Sequence, residues 1–366
     1  MTNFIVPVQS VYKSEIPLFQ DKEGALWSYK GHKILKRNRN REIEDSFPIK
    51  CGIKMGILAK FQLFRRVLRL EVNNLKITKN KDVVAVAKGA ILLKKREDQV
   101  FKKVFNIEKG SKPLNLCKDD SGALFWGEYF SNPNREEVRI FGSEDGANWK
   151  SYYVFPSNTI RHVHGIFWDR FRKGLWVLTG DSDKESGVWF TDNQFKTLSK
   201  VFSGSQKARA VSIIPLKSGL IIPMDSPLET NYIQFFDLTE RTIQNLAQIP
   251  SSAFNSYDSK NLKLISTVVE PSEINDTKSA SIYASTNSQQ WIRIANLEQG
   301  YLSSLSYKYF RYPEIIFMPS EMEDEITEIN IYLRGTKKYN NCWLTINIED
   351  IKNFMEGDNV IKTLKK

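Results

Sequence analysis

Short apolar bursts separated by polar turns run along most of this chain, while long helical periodicity is scarce. Segments such as ALFWGEYF, EVRIFGS, SYYVFP, GLWVLTG, GVWFTD, YIQFFDL, SASIYAS and EINIYLRG are rich in β-branched and aromatic residues. Gly, Asn, Asp, Ser or Pro separates them, which is the pattern of short strands joined by turns. One stretch, KCGIKMGILAKFQLFRRVLRL from Lys50 to Leu70, has helical spacing, but two glycines interrupt it. The pattern predicts an all-β chain.

A repeat emerges when the turns are aligned, because a polar turn followed by an apolar burst recurs seven times. The instances are DKEGALW ending at Trp27, KNKDVVAV ending at Val86, DDSGALFW ending at Trp126, RFRKGLWV ending at Val177, LKSGLIIP ending at Pro223, SKNLKLIS ending at Ser266 and RYPEIIFM ending at Met318. Spacings of roughly 40 to 58 residues suit a four-stranded propeller blade, each turn joining an innermost strand to the next one out. The expected architecture is a single β-propeller domain over 1–366. It has seven blades, with six as the alternative, of four antiparallel strands each. The blades run from about 10 to 350, and a polar tail occupies 351–366.

A second repeat falls in a later hairpin. In FGSEDGANWKSY, Ser143, Asp145 and Trp149 match Ser285, Asn287 and Trp291 of ASTNSQQWIRI, and WFTDNQFKTL is a third copy with Asp192 in its turn. The physics is local: the Asp or Asn accepts backbone N–H bonds, the hydroxyl assists, and the Trp packs under the hairpin. These hairpins resemble Asp-boxes, the motif of sialidases and other bacterial-neuraminidase-repeat propellers. The resemblance implies a propeller with its site on the face away from the Asp-boxes. For sialidases it implies three arginines holding a substrate carboxylate, an aspartic acid for proton transfer and a tyrosine activated by a glutamate. Arg161 and Arg209 would be two of the arginines, with the third among Arg37, Arg39 and Arg41, and Asp181 or Asp225 the acid. Glu128 and Tyr129 do not supply the nucleophile pair, because neighbours on a strand point to opposite faces.

Composition narrows the class. The 366 residues are 41% hydrophobic and 26% charged, which excludes a wholly disordered chain. No apolar run approaches the roughly 18 residues that cross a bilayer, and the first residues lack a basic segment followed by a long apolar one. A cytoplasmic location is the default expectation. Cys51, Cys117 and Cys342 are far apart and odd in number, so neither a disulfide framework nor a paired-cysteine metal site is expected. The net charge of +11 is uneven: residues 1–110 hold 24 Lys and Arg against 11 Asp and Glu, leaving about −2 for the remainder. The densest runs are KILKRNRNRE, FRRVLR and LLKKRE. They read either as a polyanion-binding patch, with Arg37, Arg39 and Arg41 as its centre, or as sheet edges guarded by charge. No zinc-finger or RNA-recognition pattern accompanies them, so a nucleic-acid partner is not expected.

Strand alternation places the candidate chemistry on the face opposite the tight turns. The densest set lies in FWGEYFSNPNREEVR, NTIRHVHGIFWD and GLWVLTGDSDKESG. His162 and His164 occupy alternate positions of one strand and share a face, with side chains ~7 Å apart. The chain has only three histidines, so their pairing suggests proton transfer near neutral pH, and at a channel mouth they are expected to carry little packing. The catalytic candidates are His162, His164, Glu128 and Asp181. The substrate-binding candidates are Arg161, Arg209, Tyr129, Asp183 and Asp225. Arg161 reaches the histidine face only if the strand twists or begins after it. No cofactor is specified and no metal ligand is assigned, although two histidines with Glu128 or Asp181 are also a possible ligand set.

Two functions from different classes fit. One is a carbohydrate-active enzyme, a glycoside hydrolase or a polysaccharide lyase acting on an acidic oligo- or polysaccharide, with His and carboxylate groups moving protons and arginine holding the sugar carboxylate. The other is a non-catalytic propeller that binds a glycan or protein, with Trp126, Trp168, Trp176 and Trp189 as stacking surfaces.

Overall fold

The computed structural model describes residues 3–49, 71–301, 313–322 and 326–357. The helical candidate at Lys50–Leu70, with Cys51 and the run FRRVLR, lies outside them. The fold is a β-propeller of seven four-stranded antiparallel blades. Packing divides the chain into two compact units, one of Leu18–Val211 and one of Met1–Pro17 with Ser212–Lys366.

Two strands precede the first blade, β1 (Asn3–Phe4) and β2 (Val8–Lys13). The first blade is β3 (Glu15–Gln20), β4 (Leu26–Lys30), β5 (Lys33–Arg37) and β6 (Ile43–Pro48). The second is β7 (Asn74–Ile77), β8 (Val83–Ala87), β9 (Ala90–Lys94) and β10 (Lys102–Asn106). The third is β11 (Cys117–Lys118), β12 (Leu124–Gly127), β13 (Val138–Ser143) and β14 (Lys150–Phe155). The fourth is β15 (His162–Asp169), β16 (Gly174–Gly180), β17 (Gly187–Thr191) and β18 (Ser199–Ser203). In these blades the strands lie side by side in chain order. The second strands are almost wholly buried and the fourth mostly exposed, as expected when a blade has one inner and one outer edge.

The other unit holds three blades. They are β19 (Ile214–Pro215), β20 (Gly219–Pro223), β21 (Asn231–Asp237) and β22 (Ile243–Ile249); then β23 (Ala253–Asp258), β24 (Lys263–Thr267), β25 (Ser279–Ser285) and β26 (Ile292–Glu298), with β1 added beside β26; then β27 (Glu314–Phe317), β28 (Glu328–Arg334) and β29 (Cys342–Asn347). This last blade is completed by β2, so the start of the chain supplies its fourth strand. Of the seven turns read from the sequence, six join the first and second strands of a blade. The seventh, RYPEIIFM, does not: its EIIF is the strand β27 itself, and a longer connection leads to β28. The expected polar tail begins with a helix, α1 (Ile348–Glu356), capped by the Asn347 side chain, which accepts from Glu349 N–H, and anchored by buried Ile348 and Ile351.

The recurring inner turn has a physical cause. Asp21 accepts the Ala25 N–H at 2.8 Å and the Trp27 indole N–H at 3.0 Å. Asp169 likewise accepts from Phe171 N, Arg172 N and the Trp176 indole. Each acid therefore satisfies the turn and fixes a core tryptophan in the following strand. In the turn at Asp21, Gly24 takes a φ of +88°, a conformation that favours glycine. Trp126 and Trp176 are fully buried and Trp189 nearly so, while Trp168 is half-buried against the cluster that holds Trp189. Trp126 stacks on Phe141. These tryptophans are core residues, not an exposed stacking surface.

The outer hairpins carry the expected bonds. Asp145 accepts from Ala147 N and Asn148 N, both at 2.8 Å, and Ser143 Oγ accepts from Gly146 N. Asn287 repeats this with Gln289 N and Gln290 N, and Ser288 holds the positive φ that Gly146 holds in the first copy. In the third copy the capping side chain is Asn193, bonded to Thr197 N, rather than Asp192; Thr197 stands where the others have Trp, and the buried aromatic is Phe195, two residues earlier. The reason is register: Asn193, two residues after Thr191, corresponds to Asp145 two residues after Ser143. Trp291 is buried and Trp149 half-buried.

Parts of two basic runs serve the fold. Buried Arg37 donates Nη1 to Arg41 O at 2.7 Å, and Arg39 donates Nε to Glu23 O. Lys94, also buried, donates Nζ to the carbonyls of Lys95, Arg96 and Asp98 and sits over the Phe47 ring.

Candidate functional site

The fourth blade begins at His162, so Arg161 precedes the strand and is freed from its alternation. The pairing of β15 with β16 shifts between Val163 and Gly165. That irregularity turns His164 toward His162, and the ring centroids come to 5.0 Å, closer than regular alternation would give. Their Nε2 atoms lie 3.1 Å apart. Burial was not anticipated: both rings are inside, His164 at 2% exposure, where a channel-mouth position carrying little packing was expected. A Cβ at position 180 would collide with the His164 ring, so Gly180, at the end of β16, makes room for it.

Asp181 follows Gly180 and receives the pair. Its Oδ1 stands 3.1 Å from His164 Nε2 and 3.4 Å from His162 Nε2. Its Oδ2 accepts from Arg161 Nη1 at 3.0 Å. Arg209, in the connection after β18, donates Nη1 to the Asp181 carbonyl and holds Nη2 3.6 Å from Oδ1. Gln206 donates Nε2 to that carbonyl and to Asp183 Oδ1, so Asp183 sits beside the cluster but touches neither imidazole. The Tyr129 ring lies 4.3 Å from the His162 ring.

Each imidazole faces a backbone carbonyl with its other nitrogen: His162 Nδ1 meets Phe130 O at 3.1 Å and His164 Nδ1 meets Ala210 O at 2.9 Å. A carbonyl only accepts, so both Nδ1 atoms carry hydrogen. Burial pushes the His164 pKa down and favours the neutral ring, against the raising effect of Asp181. Burial works the other way on Asp181, but hydrogen bonds and charge from the two histidines outweigh it and hold its carboxyl well below the usual carboxylate range.

Seven sequence candidates therefore fall together: His162, His164, Asp181, Arg161, Arg209 and Tyr129, with Asp183 at the edge. Glu128 does not join them. Its Oε2 accepts from Arg139 N at 2.8 Å, and burial raises its pKa despite that bond. Asp225 follows β20 in the other compact unit, where it is buried. Gln206 and the carbonyls of Phe130 and Ala210 were not foreseen. A backbone carbonyl carries no sequence signal, and Gln206 sits in a connection without periodicity.

No known family model matches this chain, and no curated protein matches it by sequence. Its fold is similar to solved structures at low identity. The extracellular domain assigned to a one-component system of B. thetaiotaomicron is 10% identical with a TM-score of 0.56; the match covers 94% of this chain and 41% of that one. A chain of the mitotic checkpoint complex is 8% identical with a TM-score of 0.54, covering 95% and 97%. The WD40 domain of Neurospora crassa Pan2 is 10% identical with a TM-score of 0.52, covering 94% and 90%. At these identities the likeness concerns the fold alone, a seven-bladed β-propeller. Among the described residues no helix is long and apolar enough to cross a membrane.

Proposed function

We propose that this chain is a carbohydrate-active propeller that takes a carboxylate-bearing glycan at the cluster around Asp181. The observation that carries the reading is the convergence of two guanidiniums and two imidazoles on one half-buried carboxylate. Arg161 keeps a third of its side chain exposed, where a further anion can reach it. The hairpins at Ser143 and Ser285, with their Asp-box-like bonds, lend the sugar reading its support.

The chemistry suited to such a set is β-elimination from a uronate. The guanidiniums hold the carboxylate and spread the charge that builds as the C–H bond beside it breaks. The electron pair of that bond forms the new C=C bond, the C–O bond to the leaving sugar breaks, and the leaving oxygen takes a proton. His162, His164 and Tyr129 are the groups in place to move these protons. Hydrolysis at the same site is the related possibility within the same reading.

The test is incubation of the full chain with uronate-containing polysaccharides while ultraviolet absorbance and reducing ends are followed. Elimination gives both an unsaturated product and new ends, and hydrolysis gives ends alone; either should disappear in Arg161→Ala. Neither signal with any acidic polysaccharide, while the glycans still bind, returns the chain to the non-catalytic class. No binding overturns the glycan reading.

A further inference from the structure

His162 Nε2, His164 Nε2 and Asp181 Oδ1 form a triangle with edges of 3.1, 3.1 and 3.4 Å. With each Nδ1 turned to a carbonyl, the two Nε2 atoms and Asp181 Oδ1 are left facing one another. A single shared proton satisfies one edge of such a triangle. A metal ion satisfies all three.

We propose that His162, His164 and Asp181 hold a divalent first-row transition metal ion. Ligand atoms about 2.0–2.2 Å from zinc stand about 3.3–3.6 Å apart in a tetrahedron and about 2.8–3.1 Å apart in an octahedral face, and the observed edges fall between these limits. The outer partners a metal site needs are also present. Phe130 O and Ala210 O fix the two rings through Nδ1, and Arg161 Nη1 fixes Asp181 through Oδ2, leaving Oδ1 for the ion. Among the described residues this is the one group of three or more His, Cys or carboxylate side chains with ligand atoms so gathered.

Three protein ligands leave coordination positions open, the pattern of a reactive rather than a purely structural ion. Arg161 and Arg209 repel a bare cation at close range and so favour an anionic group completing its shell. In the elimination proposed above, and only if that reading holds, the imidazoles are then ligands and not bases, and proton transfer falls to Tyr129.

The test needs no glycan. Tag-free full-length chain, stripped with a chelator, is titrated calorimetrically with Zn2+ and separately with Mn2+, and its metal content as purified is measured by mass spectrometry. One ion per chain is expected, with affinity at least tenfold weaker in Asp181→Asn and His162→Gln. Both variants are checked for fold by circular dichroism. Should either unfold, the wild-type chain loaded with Co2+ decides: visible bands of a low-symmetry nitrogen and oxygen site support the ion. No saturable binding of either metal, undiminished binding in folded variants, or a Co2+ spectrum matching the free aqueous ion overturns the proposal. An inactive glycan assay leaves each of these results unchanged.

Discussion

His162 and His164 stand two residues apart on one strand, yet their Nε2 atoms approach to 3.1 Å. The shift in the pairing of β15 with β16 makes this possible, and the carbonyls of Phe130 and Ala210 hold the rings in place. The pair is thus built into the blade, and the same bonds that set its chemistry also contribute to stability.

His164→Ala is therefore expected to cost about 2 kcal/mol or more, because it opens a buried cavity and leaves the Ala210 carbonyl without its donor. Urea unfolding of wild type and variant measures this. A loss below about 0.5 kcal/mol would show that the ring contributes little to the fold, contrary to its burial.

Gly180→Ala tests the same packing from the other side. The added methyl meets the His164 ring, so the ring must move or the strand must shift, at a cost of about 1–3 kcal/mol. A folded variant should lose the alignment of His164 with Asp181, visible as a changed imidazole signal in NMR. An unperturbed His164 resonance would contradict the contact.

Much of the blade architecture was legible because it is local. An Asp that caps a turn and a Trp that bonds back to it occur within a few residues, as with Asp21 and Trp27 or Asp169 and Trp176, and so recur visibly along the chain. The last blade was misread at its turn because its order is not local: β2 comes from the other end of the chain and the tight inner turn is missing. At the site, Glu128 and Tyr129 follow the end of β12, so alternation does not govern them, but it did place the two histidines on one face. It did not reveal their burial, since HVHG reads as well at a rim as inside.

Asp145 gives a test of the outer hairpin by pH. Burial would raise its pKa, but the N–H groups of Asn148 and Ala147 together with the side chains of Asn148 and Ser143 lower it from 3.8 to about 2. A carboxyl depressed by folding contributes stability above its unfolded value and loses it as pH falls through the folded one. The stability gap between wild type and Asp145→Asn should therefore be full at pH 5 and shrink between about pH 4 and pH 2. A gap that stays constant over that range would show that the charge on Asp145 does not support the turn.

The basic N-terminal hairpin separates into residues with different tasks. Arg37 is buried and its guanidinium bonds to the Arg41 carbonyl, so Arg37→Ala is expected to cost about 1–3 kcal/mol. A buried guanidinium is poorly placed to release counterions from a polyanion, so the same change should leave the salt dependence of heparin binding unaltered. If the arginines of the hairpin contact an acidic polymer, Arg39 and Arg41 rather than Arg37 carry that contact, and Arg39→Gln with Arg41→Gln should flatten the slope of affinity against salt. Elution from a heparin column over a salt gradient, run beside urea unfolding, reads both effects. A flattened slope in Arg37→Ala with stability intact would reverse the assignment and place Arg37 in the patch.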